Sequence, residues 1–489
     1  MKKKYLSLLL TALFVFATLL PLMQTNAAPE EAAQDPIKIG FFGALTTSTL
    51  AYYTPWSQQA FELGLEYATG GTNATTAGRP YEIKYYDTKG DPTTAAIVVT
   101  NAIETDGVDI LVGGTLSSVA PVISSKAEEY KKIYFAGPAA ASSLTGKNFN
   151  RYIFRIPRNS WHDAKAGVSF AMDVIGAKKF GFLAADYSFG YDGVAAMQQL
   201  ILEKGGLVNS IQYADPYLTV DFTSYITNLL LHDTYYGIDM LFIIWAGNFN
   251  YLYPALISNN VAAAMNISGA VVDIKTMNEI EATLTPPATL VGSVGLCVYG
   301  YELPNNTVND WMVQQYDARN ITPNAGQIYQ VPELFSAGAF GTAQFLVNVT
   351  NAVPDLNVEG MITHLESGLN ITTPKGPTYL RPQDHQGLSE MYIAEIINDT
   401  RADSQTYHKL IAKLNQTLPA SVVAPPIESG YDPRTTTTTT PSGSVSVSVS
   451  VSQSVVTVTP GFSIITLVIS LSSVAVTTFI VRSGRKRKT

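Results

Sequence analysis

From residue 37 onward, short apolar runs alternate with segments of helical period, and this alternation restricts the fold more than any other feature of the chain. "IKIGFFG" (37–43) reads as a strand, and Trp56, Ala60, Leu63 and Tyr67 then recur at helical spacing. "YEIKYYD" (81–87) reads as a second strand. In "DPTTAAIVVTNAIETDG", Asp91 is placed to cap a helix whose first position is Pro92. "VDILVGG" (108–114), "SVAPVISSKAEEYKK" and "IYFAGP" (133–138) continue as strand, helix and strand. Strands joined by helices must run parallel, with right-handed crossovers that cover both faces of the sheet. The first lobe is therefore expected to be doubly wound α/β.

The same rhythm restarts after "FRIPRNSW" (154–161). "KKFGFLAAD" reads as a strand, "YDGVAAMQQLILEKGG" and "VDFTSYITNLLLHD" as helices, "IDMLFIIWAG" as a strand buried on both faces, and "ISGAVVD" (267–273) as a further strand. Roughly 400 residues between the two ends exceed what one core holds. Two like lobes with a cleft between them follow.

The ends have a different character. Lys2 to Lys4, an apolar stretch from Leu6 to about Leu22, and Thr25-Asn26-Ala27 make a signal peptide over residues 1–27. Residues 418–460 are dominated by Ser, Thr and Pro and read as an extended stalk. Gly461 to Val481 carries no charge and is about 31 Å long as a helix, enough to cross a bilayer. Arg482, Arg485, Lys486, Arg487 and Lys488 then hold the tail (482–489) in the cytoplasm, leaving the globular part outside. Asn-x-Ser/Thr acceptor sites at Asn73, Asn266, Asn305, Asn320, Asn348, Asn370, Asn398 and Asn415 agree with an exported glycoprotein surface.

Several classes of function are disfavoured. A net charge of -8 gives no footing for nucleic acid. Cys297 is the single cysteine, so no intrachain disulfide forms, and the five histidines have no metal-ligand spacing. Neither a metal nor a cofactor is expected. The chain has no nucleophile elbow, Walker loop or dinucleotide fingerprint, which argues against an enzyme.

Taken together, "IKIGFFGALT", "YYDTKGDPTTA", "GVDILVGGTLSSVAP", "FAGPAAASSLT", "FRIPRNSWHDAKAG", "DYSFGYDG" and "GPTYLRPQDHQG" resemble, in order over about residues 36 to 400, the leucine/isoleucine/valine-type substrate-binding proteins of ABC importers. The resemblance implies a type I periplasmic-binding fold: two lobes joined by three crossings, at Phe154 to Ser160, near Gly295 and near Ile371. Lobe 1 then comprises 36–157 and 296–372. Lobe 2 comprises 158–295, with 373–417 as its return and C-terminal segment.

A zwitterionic amino acid needs donors for its carboxylate, acceptors for its ammonium and an apolar wall. Ser117 and Ser118 lie between a strand's carboxyl end and a helix's amino end, where they suit a carboxylate or, alternatively, cap the helix. The family pattern implies Ser117 as the ligand serine. It further implies Ala139 and either Ala141 or Ser142 as backbone-group contacts; Ser142 is preferred for its hydroxyl, although the family's threonine is missing. Asn248 stands where the family often has an aromatic, with Trp245 and Phe249 beside it as wall or core residues. Asp273 in "GAVVDIK" matches the acidic ammonium partner, with a helix cap as its alternative role. Tyr52 or Tyr53 on one lobe and Tyr187 with Phe189 on the other are expected as aromatic lids.

The expected function is a surface-anchored receptor for a small amino acid of branched-chain type, or a related amide, that delivers it to an ABC permease. The alternative is a sensor ectodomain acting through a separate signalling partner. A membrane tether suits a cell without an outer membrane, and the expected form is archaeal-like.

Overall fold

The computed structural model describes residues 35–46, 54–247, 249–269, 273–285, 288–321, 331–400 and 410–433. The expected signal peptide, membrane helix and basic tail lie outside these residues. Among the described residues no helix is long and apolar enough to cross a membrane.

The first sheet is built from β1 (Ile37–Gly43), α1 (Thr54–Ala68), β2 (Tyr81–Asp87), α2 (Pro92–Glu104), β3 (Ile110–Gly113), α3 (Ala120–Tyr130), β4 (Ile133–Ala136) and β5 (Ile153–Phe154). All its strands are parallel, in the order β2-β1-β3-β4-β5. The central strands are apolar runs because helices cover both faces: Ile110, Leu111, Ile133, Tyr134 and Phe135 are fully buried. The expected start of α2 is present, with Asp91 Oδ1 accepting from the Thr94 amide at 2.7 Å and Pro92 in the first turn.

The second sheet repeats the plan. After α4 (Ser160–Ser169) come β6 (Lys179–Ala185), α5 (Ser188–Glu203), β7 (Leu207–Ala214), α6 (Thr223–Tyr236), β8 (Met240–Ile244), α7 (Phe249–Ser258), α8 (Val261–Ala264), β9 (Asn266–Gly269) and α9 (Ile274–Thr283). Its parallel order is β7-β6-β8-β9. β7 is an edge strand with Leu207 and Ile211 exposed, so it lacks the continuous apolar run that announces its neighbours.

The chain then returns. β10 (Val294–Cys297) leads to α10 (Thr307–Ala318), α11 (Leu334–Ala352) and α12 (Val358–Leu365). α11 packs along α1 of the first sheet; Tyr67 sits 5.1 Å from Trp311 and 5.6 Å from Phe340. Gly64 permits that approach, since a Cβ there would press on the Phe340 backbone. The strands β11 (Asn370–Thr373), β12 (Gly376–Arg381) and β13 (Gln386–Leu388) form a small antiparallel sheet, and β14 (Met391–Asn398) pairs with β10 and with β15 (Leu410–Leu418). A last turn, α13 (Ala420–Val423), packs on α4.

Residues 418–433 depart from the expected stalk. Val423 is fully buried, Lys165 Nζ donates to the Ala424 carbonyl at 2.5 Å, Arg381 Nη1 donates to the Pro425 carbonyl at 2.9 Å, and Tyr431 Oη donates to Glu366 Oε1 at 2.6 Å. A few apolar and aromatic side chains with specific partners are enough to hold a Pro-rich segment on the folded unit.

Where the chain first passes between the sheets, Arg155 is fully buried and acts as a strut. It donates to Gln386 Oε1 (2.8 Å), the Ala141 carbonyl (2.6 Å), the Ala139 carbonyl (3.3 Å) and Thr145 Oγ1. Gln386 Nε2 in turn donates to the Pro157 carbonyl at 2.7 Å. Burial pulls the Arg155 pKa down to about 9, and the acceptors around it stand in for lost water.

Candidate ligand-binding cleft

Both sheets run 2-1-3-4 from their edge, so each has a switch point where consecutive connections leave in opposite directions, and ligands bind outside the carboxyl ends of strands at such points. One cavity of about 610 Å³, counting its mouth, lies there. The first sheet contributes Thr115, Leu116 and Ser117 after β3, and Pro138 and Ala140 after β4. The second contributes Tyr187 and Phe189 after β6, Trp245, Ala246 and Phe249 after β8, and Asp273 and Thr276 at the start of α9. Arg158, on the first passage between the sheets, and Leu334 and Phe335, in the first turn of α11, complete the lining.

The loop after β3 depends on two glycines. Gly113 (φ 105°) and Gly114 (φ 76°) turn the chain through the left-handed region, and a Cβ on Gly113 would meet the Phe42 carbonyl oxygen. Ser117 Oγ accepts from the Ala141 amide at 3.2 Å, which ties the loops after β3 and β4 together and leaves the Ser117 hydrogen to donate. The helix-cap alternative for this pair fails: α3 is capped by Val119, without a side-chain cap bond. Thr115 Oγ1 is buried and has no hydrogen-bond partner among the described residues.

On the second sheet's side, Asp273 is 7% exposed and fills both roles considered for it. It caps α9, with Oδ2 accepting from Thr276 Oγ1 at 2.6 Å and from the Thr276 amide at 3.3 Å, and it also lines the cavity. Trp245 packs edge-on against Phe222 with centroids 5.5 Å apart; its buried Nε1 has no partner among the described residues. Tyr187 and Phe189 are neighbours at 6.1 Å. Arg158 Nε lies 3.3 Å from Asp163 Oδ1, in the first turn of α4.

Of the residues singled out from sequence, Ser117, Tyr187, Phe189 and Asp273 share this lining. Ser118, Ala139 and Ser142 do not: Ser118 is half-buried in the turn before α3, Ala139 is buried with its carbonyl engaged by Arg155, and Ser142 opens a short 3₁₀ turn. Tyr52, Tyr53 and Asn248 lie outside the described residues. Arg158, Thr115, Leu334 and Phe335 were not anticipated. Thr115 directly follows the two glycines and Arg158 falls inside the quoted crossing, so both had local signals; Leu334 and Phe335 reach the cavity only through the packing of α11. Among the described residues no group of His, Cys, Asp and Glu is placed to hold a metal.

The family model for periplasmic binding proteins matches residues 36–401. The chain belongs to the periplasmic binding protein family. None of the curated proteins matches it. Among solved structures, this binding protein is similar to an ABC-type branched-chain amino acid transporter from Rhodopseudomonas palustris, with 28% identity, a TM-score of 0.65 and coverage of 80% of this chain and 99% of the other. An amino acid ABC transporter substrate-binding protein from Pseudomonas fluorescens has the same fold at 19% identity and a TM-score of 0.66, over 80% and 98% of the two chains. So has a Rhodopseudomonas palustris solute-binding protein in complex with 4-hydroxybenzoate, at 20% identity and a TM-score of 0.67, over 79% and 97%. The family consists of solute-binding proteins rather than enzymes and works outside the cytoplasm.

Proposed function

We propose that the protein is an extracytoplasmic receptor that captures a small amino acid of branched-chain type, or a related amide, by closing its cleft, and delivers it to an ABC permease. One observation carries this reading: a hydroxyl with a hydrogen to donate (Ser117) and a buried carboxylate (Asp273), supplied by different sheets, line one aromatic-walled cavity. Ser117 suits the ligand's carboxylate, Asp273 its ammonium, and Tyr187 and Phe189 its side chain. Binding to one face first and completing the contacts by closure would expel water from the charged groups. The similarity to a branched-chain amino acid transporter supports the ligand class. The uncharged run at 461–481 supports tethering of the folded unit to the outer face of the membrane.

The rings of Tyr187, Phe189, Trp245, Phe249 and Phe335 favour a second reading, an aromatic carboxylate. Thermal unfolding of the full chain with each ligand separates the two. Leucine, isoleucine or valine at 100 times its Kd stabilises the folded unit by about 2.7 kcal/mol if the first reading holds. A shift with aromatic acids alone favours the second. No shift with any amino acid, amide or aromatic acid sinks the receptor reading.

A further inference from the structure

Arg158 has no part in the scheme above, yet its surroundings are those of a ligand-binding group. It lies on the passage from β5 to α4, lines the cavity, and its side chain is only 10% exposed. Its one salt bridge among the described residues is the 3.3 Å approach of Nε to Asp163 Oδ1, a close ion contact in which neither atom has hydrogen-bond alignment.

Arg155 and Arg381 are engaged elsewhere, Lys375 shares the charge of Asp163, and none of the three is on the lining. Arg155 donates to Gln386 and to the carbonyls of Ala139 and Ala141. Arg381 forks onto Asp384, with Nε to Oδ1 at 2.8 Å and Nη2 to Oδ2 at 2.5 Å. Lys375 Nζ meets Met391 Sδ at 3.5 Å.

A guanidinium presents a planar fork of donors that matches a carboxylate, and burying it with one poorly aligned counter-charge is unfavourable unless another anion arrives. Asp163 is itself buried, which pushes its pKa up, while the charges of Arg158 and Lys375 pull it back down. Thr115 Oγ1, on the same lining and without a partner among the described residues, supplies a second polar group.

We propose that Arg158 is the carboxylate anchor of the cleft, so that the ligand must carry a free carboxylate beside its apolar body and the amide of the same body is rejected. This rests on the receptor reading and narrows its ligand class, removing amides from it. Because Arg158 belongs to a segment that joins the two sheets, the ligand's charge is read at the hinge itself.

Calorimetric titration of the full chain with matched pairs tests this: leucine and leucinamide, phenylalanine and phenylalaninamide, 4-hydroxybenzoate and 4-hydroxybenzamide. The wild type is expected to bind at least one acid tenfold or more tighter than its amide. Arg158→Gln should weaken that acid by about 10- to 100-fold and leave amide binding unchanged. Arg158→Lys, which keeps the charge but loses the fork, should fall between. Equal binding of acid and amide by the wild type, or equal loss of both in Arg158→Gln, overturns the anchor. If the glutamine variant fails to fold, the wild-type contrast and the lysine variant decide. Binding of amides alone overturns the anchor and leaves the receptor reading standing; binding of none of the six overturns both.

Discussion

The two sheets share a strand order and a direction, but the loops at their carboxyl ends differ in chemistry. The first sheet offers small residues and hydroxyls held by glycine turns: Thr115, Ser117, Pro138 and Ala140. The second offers rings and an acid: Tyr187, Phe189, Trp245, Phe249 and Asp273. Topology thus determines where a ligand sits, through the switch points, while loop composition divides the work between a polar face and an aromatic wall. Between them, the crossing segment carries two arginines three residues apart with opposite fates. Arg155 is satisfied by protein acceptors and Arg158 faces the cavity.

The contrast can be broken most severely on the aromatic side. Trp245→Ala removes a ring that is 1% exposed and is expected to cost about 3–5 kcal/mol in urea unfolding, since the hole beside Phe222 cannot close fully. A loss under 1 kcal/mol would mean that Trp245 belongs to the ligand rather than to the core.

Lys375 tests the region between the sheets. Burial pulls its pKa down to about 8 from an unfolded value near 10.5, so the folded state gives up the proton first. Between those values the unfolded chain binds more protons, and stability from this group rises with pH. Lys375→Met should therefore raise stability at pH 7 by about 1–3 kcal/mol, with the gain shrinking as the pH climbs from 8 toward 10.5. A gain that does not vary with pH over this range would show that the ammonium is not desolvated.

Asp273→Ala loses the α9 cap and should cost about 1 kcal/mol in thermal unfolding without ligand. The reading of Asp273 as an ammonium partner is sharpened if affinity for leucine falls while affinity for 4-hydroxybenzoate does not. The smallest effect on stability belongs to the hydroxyl face. Thr115→Val removes a buried oxygen that has no partner among the described residues, so unfolding should change by less than about 0.5 kcal/mol while ligand affinity drops. A clear loss of stability would show that the hydroxyl serves the fold.

Much of the architecture was legible because it rests on local pattern. Strands such as 108–114 are apolar without interruption, and Asp91-Pro92 marks a helix start by its own chemistry. Edge elements were less legible: β7 has mixed burial and no distinctive period. Within the site, Ser117, Tyr187, Phe189 and Asp273 were reachable because loops at strand carboxyl ends face the crevice in any fold of this order. Ser118, Ala139 and Ser142 occupy the same loops but are not part of the lining, a distinction of one or two residues that spacing does not resolve.

By itself the sequence determined the parallel α/β character, the two-lobed repeat and the loops in which a site would lie, since hydrophobic period and turn chemistry act over a few residues. Only the tertiary structure decided that Arg155 would be consumed as a strut while Arg158 faced the cavity, and that the first turn of α11 would close the lining. It also decided that residues 418–433 would join the folded unit. These outcomes depend on partners distant in sequence, such as Gln386, 231 residues from Arg155, and Ala424, 259 from Lys165, and no local pattern encodes that.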